Sequence, residues 1–288
     1  LLGIDNMTTA FSRGEASGLV EFASPVRFRH PLLRSVIYNA ASAEQRRSAH
    51  WALGEVVDPA TDPDRRAWHL AQATAEPDED VAAELERSAG RAQSRGGLVA
   101  AASFLERATA LTPDLVRRGE RALAAAQARY LAGAPEVSSR LLSLAEASLQ
   151  EQQRRVPTPG DGERDAGAPE ASSRLLSLAE ASPLPELHRA RAELLRARIA
   201  FTVDRGRDTP LLFLQAARRL EQLDARLARE TYLDALRAAW YAADPPGGVT
   251  IREVAGAAAE APAPAGPPDA ADLLLDGLAV RYTQGSLP

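Results

Sequence analysis

The chain has 288 residues, 25% of them charged, and a formal net charge of −5 at pH 7. This balance sets aside a dedicated nucleic-acid surface, which shows as a basic domain. There is no cysteine and all 34 basic residues are arginine, so disulfides, thiolate chemistry, a phosphate-loop lysine and a Schiff-base lysine are excluded within it.

The chain opens Leu1-Leu2-Gly3-Ile4-Asp5, with neither an initiator methionine nor a signal-peptide pattern, and reads as a piece of something longer. Two short alternating runs follow, Gly18-Leu19-Val20-Glu21-Phe22 and Val26-Arg27-Phe28, separated by Ala23-Ser24-Pro25; they predict a small β-hairpin. Pro31 suits the first turn of a helix, where a missing N–H is no loss. Leu32, Leu33, Val36, Ile37 and Ala40 then make one apolar face at helical spacing. His30 stands at the hinge between strand and helix, next to the free N–H groups of a helix start, a place that attracts anions. Ser42-Ala43-Glu44-Gln45 has the form of a capping box, and the helix behind it carries Ala49, Ala52, Leu53, Val56 and Val57 on one face. Asp62-Pro63 opens the next helix, with Ala67, Leu70, Ala71 and Thr74 inward.

From there alanine and leucine dominate, and Gly/Pro/Asp punctuation predicts helices near 78–95, 97–111, 114–132, 135–149, 170–182, 185–203, 209–222, 225–243, 249–260 and 270–283. Ala101, Leu105, Ala108 and Pro113 stand at the offsets of the second helix of a tetratricopeptide unit, with Leu85, Ala89 and Ala92 near first-helix positions. A generic helical hairpin fits these small-residue positions nearly as well. Residues 132–148 recur at 166–182, differing only at Val137 versus Ala171. Solenoid repeats need share only core positions, whereas these copies also match at surface positions, as a recent tandem duplication would. The polar stretch 150–168 is expected to be a mobile loop, and 261–268, rich in proline, a linker before the last helix.

Catalytic constellations are thin. Of the four histidines, His50 and His69 fall on different predicted helices without an i, i+4 partner, so a zinc-binding helix motif is missing. His69 reads as a structural residue of a packed face, and His188, flanked by Glu186 and Arg189, as a solvated one. The chain has neither a G-x-S-x-G elbow nor a G-x-x-x-x-G-K-[ST] loop. The pairs Arg46-Arg47, Arg65-Arg66 and Arg117-Arg118 read as solvated helix faces among interspersed carboxylates. No catalytic residue and no metal ligand is expected.

The runs Phe28-Arg29-His30-Pro31-Leu32-Leu33-Arg34-Ser35-Val36-Ile37-Tyr38, Arg46-Arg47-Ser48-Ala49-His50 and Arg65-Arg66-Ala67-Trp68-His69-Leu70-Ala71 together resemble the large ATP-binding regulators of the LuxR family, bacterial transcription factors of the signal-transducing (STAND) ATPase class. Arg95-Gly96-Gly97, Leu111-Thr112-Pro113-Asp114, Arg229-Glu230-Thr231-Tyr232 and the run from Asp272 to Ala279 look like the same family's helical region. The resemblance covers nearly the whole chain, and the order of the motifs carries it. It implies a mainly α fold: a partial winged helix over 1–58, then a TPR-like helical-hairpin array over 59–288, an α-solenoid. It implies a cytoplasmic sensor and protein-interaction segment, not an enzyme. Such a segment relays effector or partner binding between an ATPase module and a DNA-binding domain that this sequence does not include. A protein partner or small-molecule effector, or self-association, would use the helical array. DNA would be met only through the other domain, no membrane is involved, and ATP or ADP would be a cofactor of the parent protein alone. His30 resembles the winged-helix histidine that contacts the ADP phosphate in related ATPases. Its alternative is a hinge histidine bonding a neighbouring backbone carbonyl. Two other readings compete: the same module attached to a cyclase or protein kinase, and a stand-alone helical enzyme.

Overall fold

The computed structural model describes residues 18, 20–21, 27–155, 183–203, 208–242 and 248–285. The fold is mainly helical, with twelve helices among these residues. It divides into two compact units, Leu1–Glu76 and Pro77–Pro288, so the helix opened by Asp62-Pro63 belongs with the first.

In the first unit, strands β1 (Val20–Glu21) and β2 (Arg27–Phe28) pair antiparallel, with Val20 opposite Phe28 and Glu21 opposite Arg27. Residue 19 and residues 22–26, which include the other ends of the alternating runs, lie outside the described residues. Helix α1 (Pro31–Ala40) starts on proline, α2 (Ala43–Val56) on the expected capping box, and α3 (Pro63–Ala73) on Asp62. The Ser42 Oγ accepts from the Gln45 N–H at 3.2 Å while the Gln45 side chain accepts from the Ser42 N–H at 2.8 Å. Helices α2 and α3 pack together at Gly54, where an added Cβ would come within 2.7 Å of Leu70 Cδ2. Ala67 and Ala71 of α3 are buried as expected. The apolar face expected on α2 is not the buried one: Leu53 and Val56 are exposed, and His50 and Gly54 are buried instead. An alanine-rich helix carries more than one apolar stripe, and here the stripe containing glycine allows the closest backbone approach. Helix α1 buries none of its residues, and Leu32, Val36 and Ile37 stay exposed.

The second unit runs through α4 (Glu79–Ser94), α5 (Leu98–Leu111), α6 (Leu115–Leu131), α7 (Pro135–Arg155), α8 (Pro183–Val203), α9 (Thr209–Leu220), α10 (Ala225–Ala242), α11 (Ile251–Glu260) and α12 (Ala270–Gln284). Each helix packs against the next, and α6 also meets α8, as α10 meets α12. The caps follow from sequence: Asp78, Asp114, Thr250 and Asp269 each accept N–H bonds from the turn they open. Gly96 adopts φ +77° between α4 and α5, where a β-carbon would be strained. Leu85, Ala89 and Ala92 of α4 and Ala101, Leu105 and Ala108 of α5 are all buried, at the offsets read from the sequence. The largest core gathers α8 to α12 around Phe213, Leu220, Tyr232, Val254 and Leu275, each fully buried. Small residues elsewhere, such as Ala122, Ala125 and Ala126, allow close helix approach at little loss of side-chain entropy.

Two buried arginines tie helices that are distant in sequence. Arg121 on α6, only 2% exposed, donates both Nη atoms to the Glu79 carboxylate at 2.9 and 2.8 Å, Nε to Glu86 at 3.0 Å, and Nη1 to Thr112 Oγ1 at 2.7 Å. Arg229 on α10 donates Nε to Asp272 Oδ1 at 2.6 Å and Nη2 to Asp276 Oδ1 at 2.5 Å on α12. Helix α7 extends to Arg155, braced by a bond from Arg155 to Glu151 at 2.9 Å, so residues 150–155, expected in a loop, are helical. The rest of that loop and the second copy of the duplication, with its predicted helix 170–182, lie outside the described residues. The stretch 261–268 is non-helical, as expected.

Candidate functional site

His30 follows β2 and precedes Pro31 in an extended conformation, φ −125° and ψ 132°, which makes it the N-cap of α1. Its Nδ1 accepts from the Leu32 N–H at 3.2 Å, and its carbonyl accepts from the Leu33 N–H at 3.0 Å. The ring therefore accepts from a backbone N–H rather than donating to the neighbouring carbonyl that the structural alternative invoked. With Nδ1 engaged as acceptor, the ring proton sits on Nε2. His30 is exposed, and the second ring nitrogen is the one available to an anion.

The remaining histidines do not fall as the sequence suggests. His50 on α2 and His69 on α3, each 6% exposed, bring their Nδ1 atoms within 3.0 Å. The Tyr38 hydroxyl of α1 lies 3.1 Å from His50 Nε2, and Trp68 packs edge-on against both imidazoles. Burial lowers the pKa of both rings; for His69 the neighbouring His50 and Arg65 lower it further, against Asp62. His69 lies in a packed helix face, as expected. Its partnership with His50 has no local signature, because the two are nineteen residues apart on separate helices. His188 was expected to be solvated; its Nδ1 is instead buried without a hydrogen bond among the described residues, 3.6 Å from a Glu120 oxygen.

A cleft of about 420 Å³ opens in the second unit between α6, α8 and α10, within the range of small-molecule pockets. Leu123, Gln127 and Tyr130 of α6 stand three to four residues apart and so share one helix face, as do Arg191, Leu195 and Arg198 of α8. Leu227 and Glu230 of α10 complete the wall. Contacts advance in the same direction along α6 and α8: Glu120 faces His188, and the Tyr130 hydroxyl meets Thr202 Oγ1 at 3.2 Å. The floor is apolar, with Leu123, Leu194 and Leu195 buried. The rim carries both charges: Arg191 lies loosely at 3.6 Å from Asp224, whereas Arg198 Nε and Nη2 both reach Asp234 Oδ2 at 3.1 Å. Of the residues lining the cleft, the sequence singles out Glu230 alone, within the run Arg229-Glu230-Thr231-Tyr232. Their signal was there: arginine, glutamine and glutamate interrupt an otherwise apolar stripe at helical spacing.

Among the described residues, no cluster of three or more His, Asp or Glu side chains is placed to hold a metal ion, and no helix is long and apolar enough to cross a membrane. The chain matches no protein-family model, no curated protein and no solved structure.

Proposed function

We propose that this chain is the sensor and protein-interaction segment of a LuxR-type ATP-dependent transcriptional regulator. The first unit belongs to a winged-helix module in which His30 senses the nucleotide held by an ATPase domain. The second unit is a TPR-like helical-hairpin array that takes a protein partner or small-molecule effector. The cleft carries this reading. It is walled by alternate helices α6, α8 and α10 and combines an apolar floor with a rim of both charges. Alternate helices that line one face, with the intervening helices packed behind, are the arrangement of stacked helical hairpins. Sequential packing from α4 to α12 and the burial of the tetratricopeptide-like positions on α4 and α5 support it.

The test is transcriptional and uses the full-length protein. Removing its gene changes a defined set of transcripts, wild-type protein restores them, and Leu195→Arg, which fills the cleft with a charge, leaves them unrestored at normal protein level. A transcript profile indifferent to removal would overturn the regulator reading, and full restoration by Leu195→Arg would overturn the role of the cleft.

A further inference from the structure

The Tyr38–His50–His69 chain does more than fill space. Two imidazole Nδ1 atoms 3.0 Å apart can hold one hydrogen between them and no more. In one arrangement Tyr38 donates to His50 Nε2 and His50 Nδ1–H donates to His69. Reversed, His69 Nδ1–H donates to His50, and His50 Nε2–H donates to the Tyr38 oxygen. The reversed chain leaves His69 Nε2 with a lone pair, so it accepts one proton without losing a bond. A second proton has to go to His50 Nδ1, which then points an N–H at another N–H. That contact cannot survive, and His50 has to leave its buried position to be solvated.

Helix α1 depends on this chain. It buries no residue, and among the described residues its side-chain ties to α2 are Tyr38–His50 and the bond from Arg46 to the Tyr38 carbonyl at 3.4 Å, with the Arg46 guanidinium 5.5 Å above the Tyr38 ring. The α2–α3 pair has a separate hold, the close Gly54–Leu70 approach and the buried Ala67 and Ala71. Among the described residues, the charged side chains that shift His69 are Arg65, which lowers its pKa, and Asp62, which opposes it, both on the side of α3.

We propose that this chain is a proton-operated latch: it holds α1, and with it the His30 cap, on the α2–α3 hairpin, and it opens when both imidazoles are protonated. The latch stands whether or not His30 meets a nucleotide. Burial already holds both rings below the ordinary histidine value. The closed form is therefore favoured above about pH 6.5 and lost as pH falls through the lower folded-state values. Opening takes up as many as two protons, so the open-to-closed ratio rises by up to about 100-fold per pH unit, against at most about 10-fold for a single histidine.

The chain has no cysteine, so spin labels can be attached uniquely at Ser35→Cys on α1 and Glu55→Cys on α2, both exposed. Distances between the labels are measured from pH 7.5 to 5.0, with imidazole protonation followed by NMR. One narrow distribution is expected at pH 7.5, and a second, displaced population grows steeply below pH 6.5. His69→Leu flattens the dependence to one proton or fewer, and Tyr38→Phe releases α1 at every pH while circular dichroism shows the helices intact. An unchanged distribution with both rings protonated would overturn the latch. So would a Tyr38→Phe chain as narrow as wild type, or His69→Leu with undiminished steepness.

Discussion

Arg121 offers the sharpest test of what holds the second unit together. Arg121→Met keeps most of the aliphatic stem and removes the guanidinium, which donates to Glu79, Glu86 and Thr112. Hydrogen bonds to charged groups contribute about 1.5–3 kcal/mol each, but the loss is far below their sum. Glu79 and Glu86 keep 30% and 51% of their exposure, so water replaces much of what they lose. Thr112 Oγ1 still donates to the Ala108 carbonyl at 2.7 Å and is not stranded. We expect a net cost of about 2 kcal/mol for Arg121→Met, and about 4 kcal/mol for Arg121→Ala once the buried stem is lost at about 0.8 kcal/mol per methylene. In a unit of this size the smaller figure lowers the melting midpoint by about 4–8 °C. Urea denaturation followed by circular dichroism at pH 7 measures it.

The same variant carries a pH signature. The bond from Arg121, against the opposing effect of burial, holds the Glu79 carboxyl below the ordinary glutamate range. A carboxylate depressed in this way contributes stability above its unfolded pKa and loses it as pH falls through the folded value. Wild type should therefore lose stability faster than Arg121→Met between about pH 5 and pH 3, and the gap between them should narrow. A cost below about 0.5 kcal/mol, the scale of a surface ion pair, would refute the reasoning. A gain in stability, seen when apolar residues replace some buried pairs, or a gap that stays constant to pH 3 would refute it equally.

Other outcomes follow from single positions. In the full-length protein, His30→Ala should weaken ADP binding and raise basal transcription, while His30→Asn, which can still cap α1, should keep the helix and lose the nucleotide effect; equal ADP affinity in all three proteins would remove His30 from nucleotide sensing. Gly256→Ala should stabilise by about 0.5–1 kcal/mol, since its Cβ meets nothing within 4 Å inside α11. Gly119→Ala should destabilise by about 1–2 kcal/mol, because its Cβ would stand 3.1 Å from Leu149 Cγ and 3.3 Å from the Ala145 carbonyl. Denaturation midpoints moving the same way for both glycines would contradict this packing.

Helix positions were legible because the breaks are chemical. Asp78, Gly96-Gly97, Thr112-Pro113 and Gly133 each stop or start a helix for a local reason, and α4, α5 and α6 end within a residue or two of where the sequence places them. The buried face was legible where leucine marks one stripe, as at Leu85 and Leu105, and was misread on α2, where the choice fell to Gly54 meeting Leu70. Long-range pairs left no such trace. Nothing around Arg121 distinguishes it from Arg117 and Arg118, which the sequence reads as a solvated pair but which bond Glu79 and the Thr112 carbonyl, and nothing around His50 announces His69. The extension of α7 through a glutamine- and arginine-rich stretch was missed because polarity was read as loop, although those residues are good helix formers.

The choice of arginine for both buried clamps has a consequence for how the chain meets a changing environment. A lysine in the place of Arg121 or Arg229 would become a titrating group once desolvated, whereas a guanidinium stays charged under any cellular condition. The helices joined at Glu79 and at Asp272 are thus indifferent to acidification until their carboxylates titrate. In the proposed latch, the hydrogen shared between His50 and His69 responds to protons below about pH 6.5, the ordinary histidine value. With that latch, the two units answer to different stretches of the pH scale: the imidazole pair below about pH 6.5, and the clamp carboxylates, held below their ordinary range, lower still.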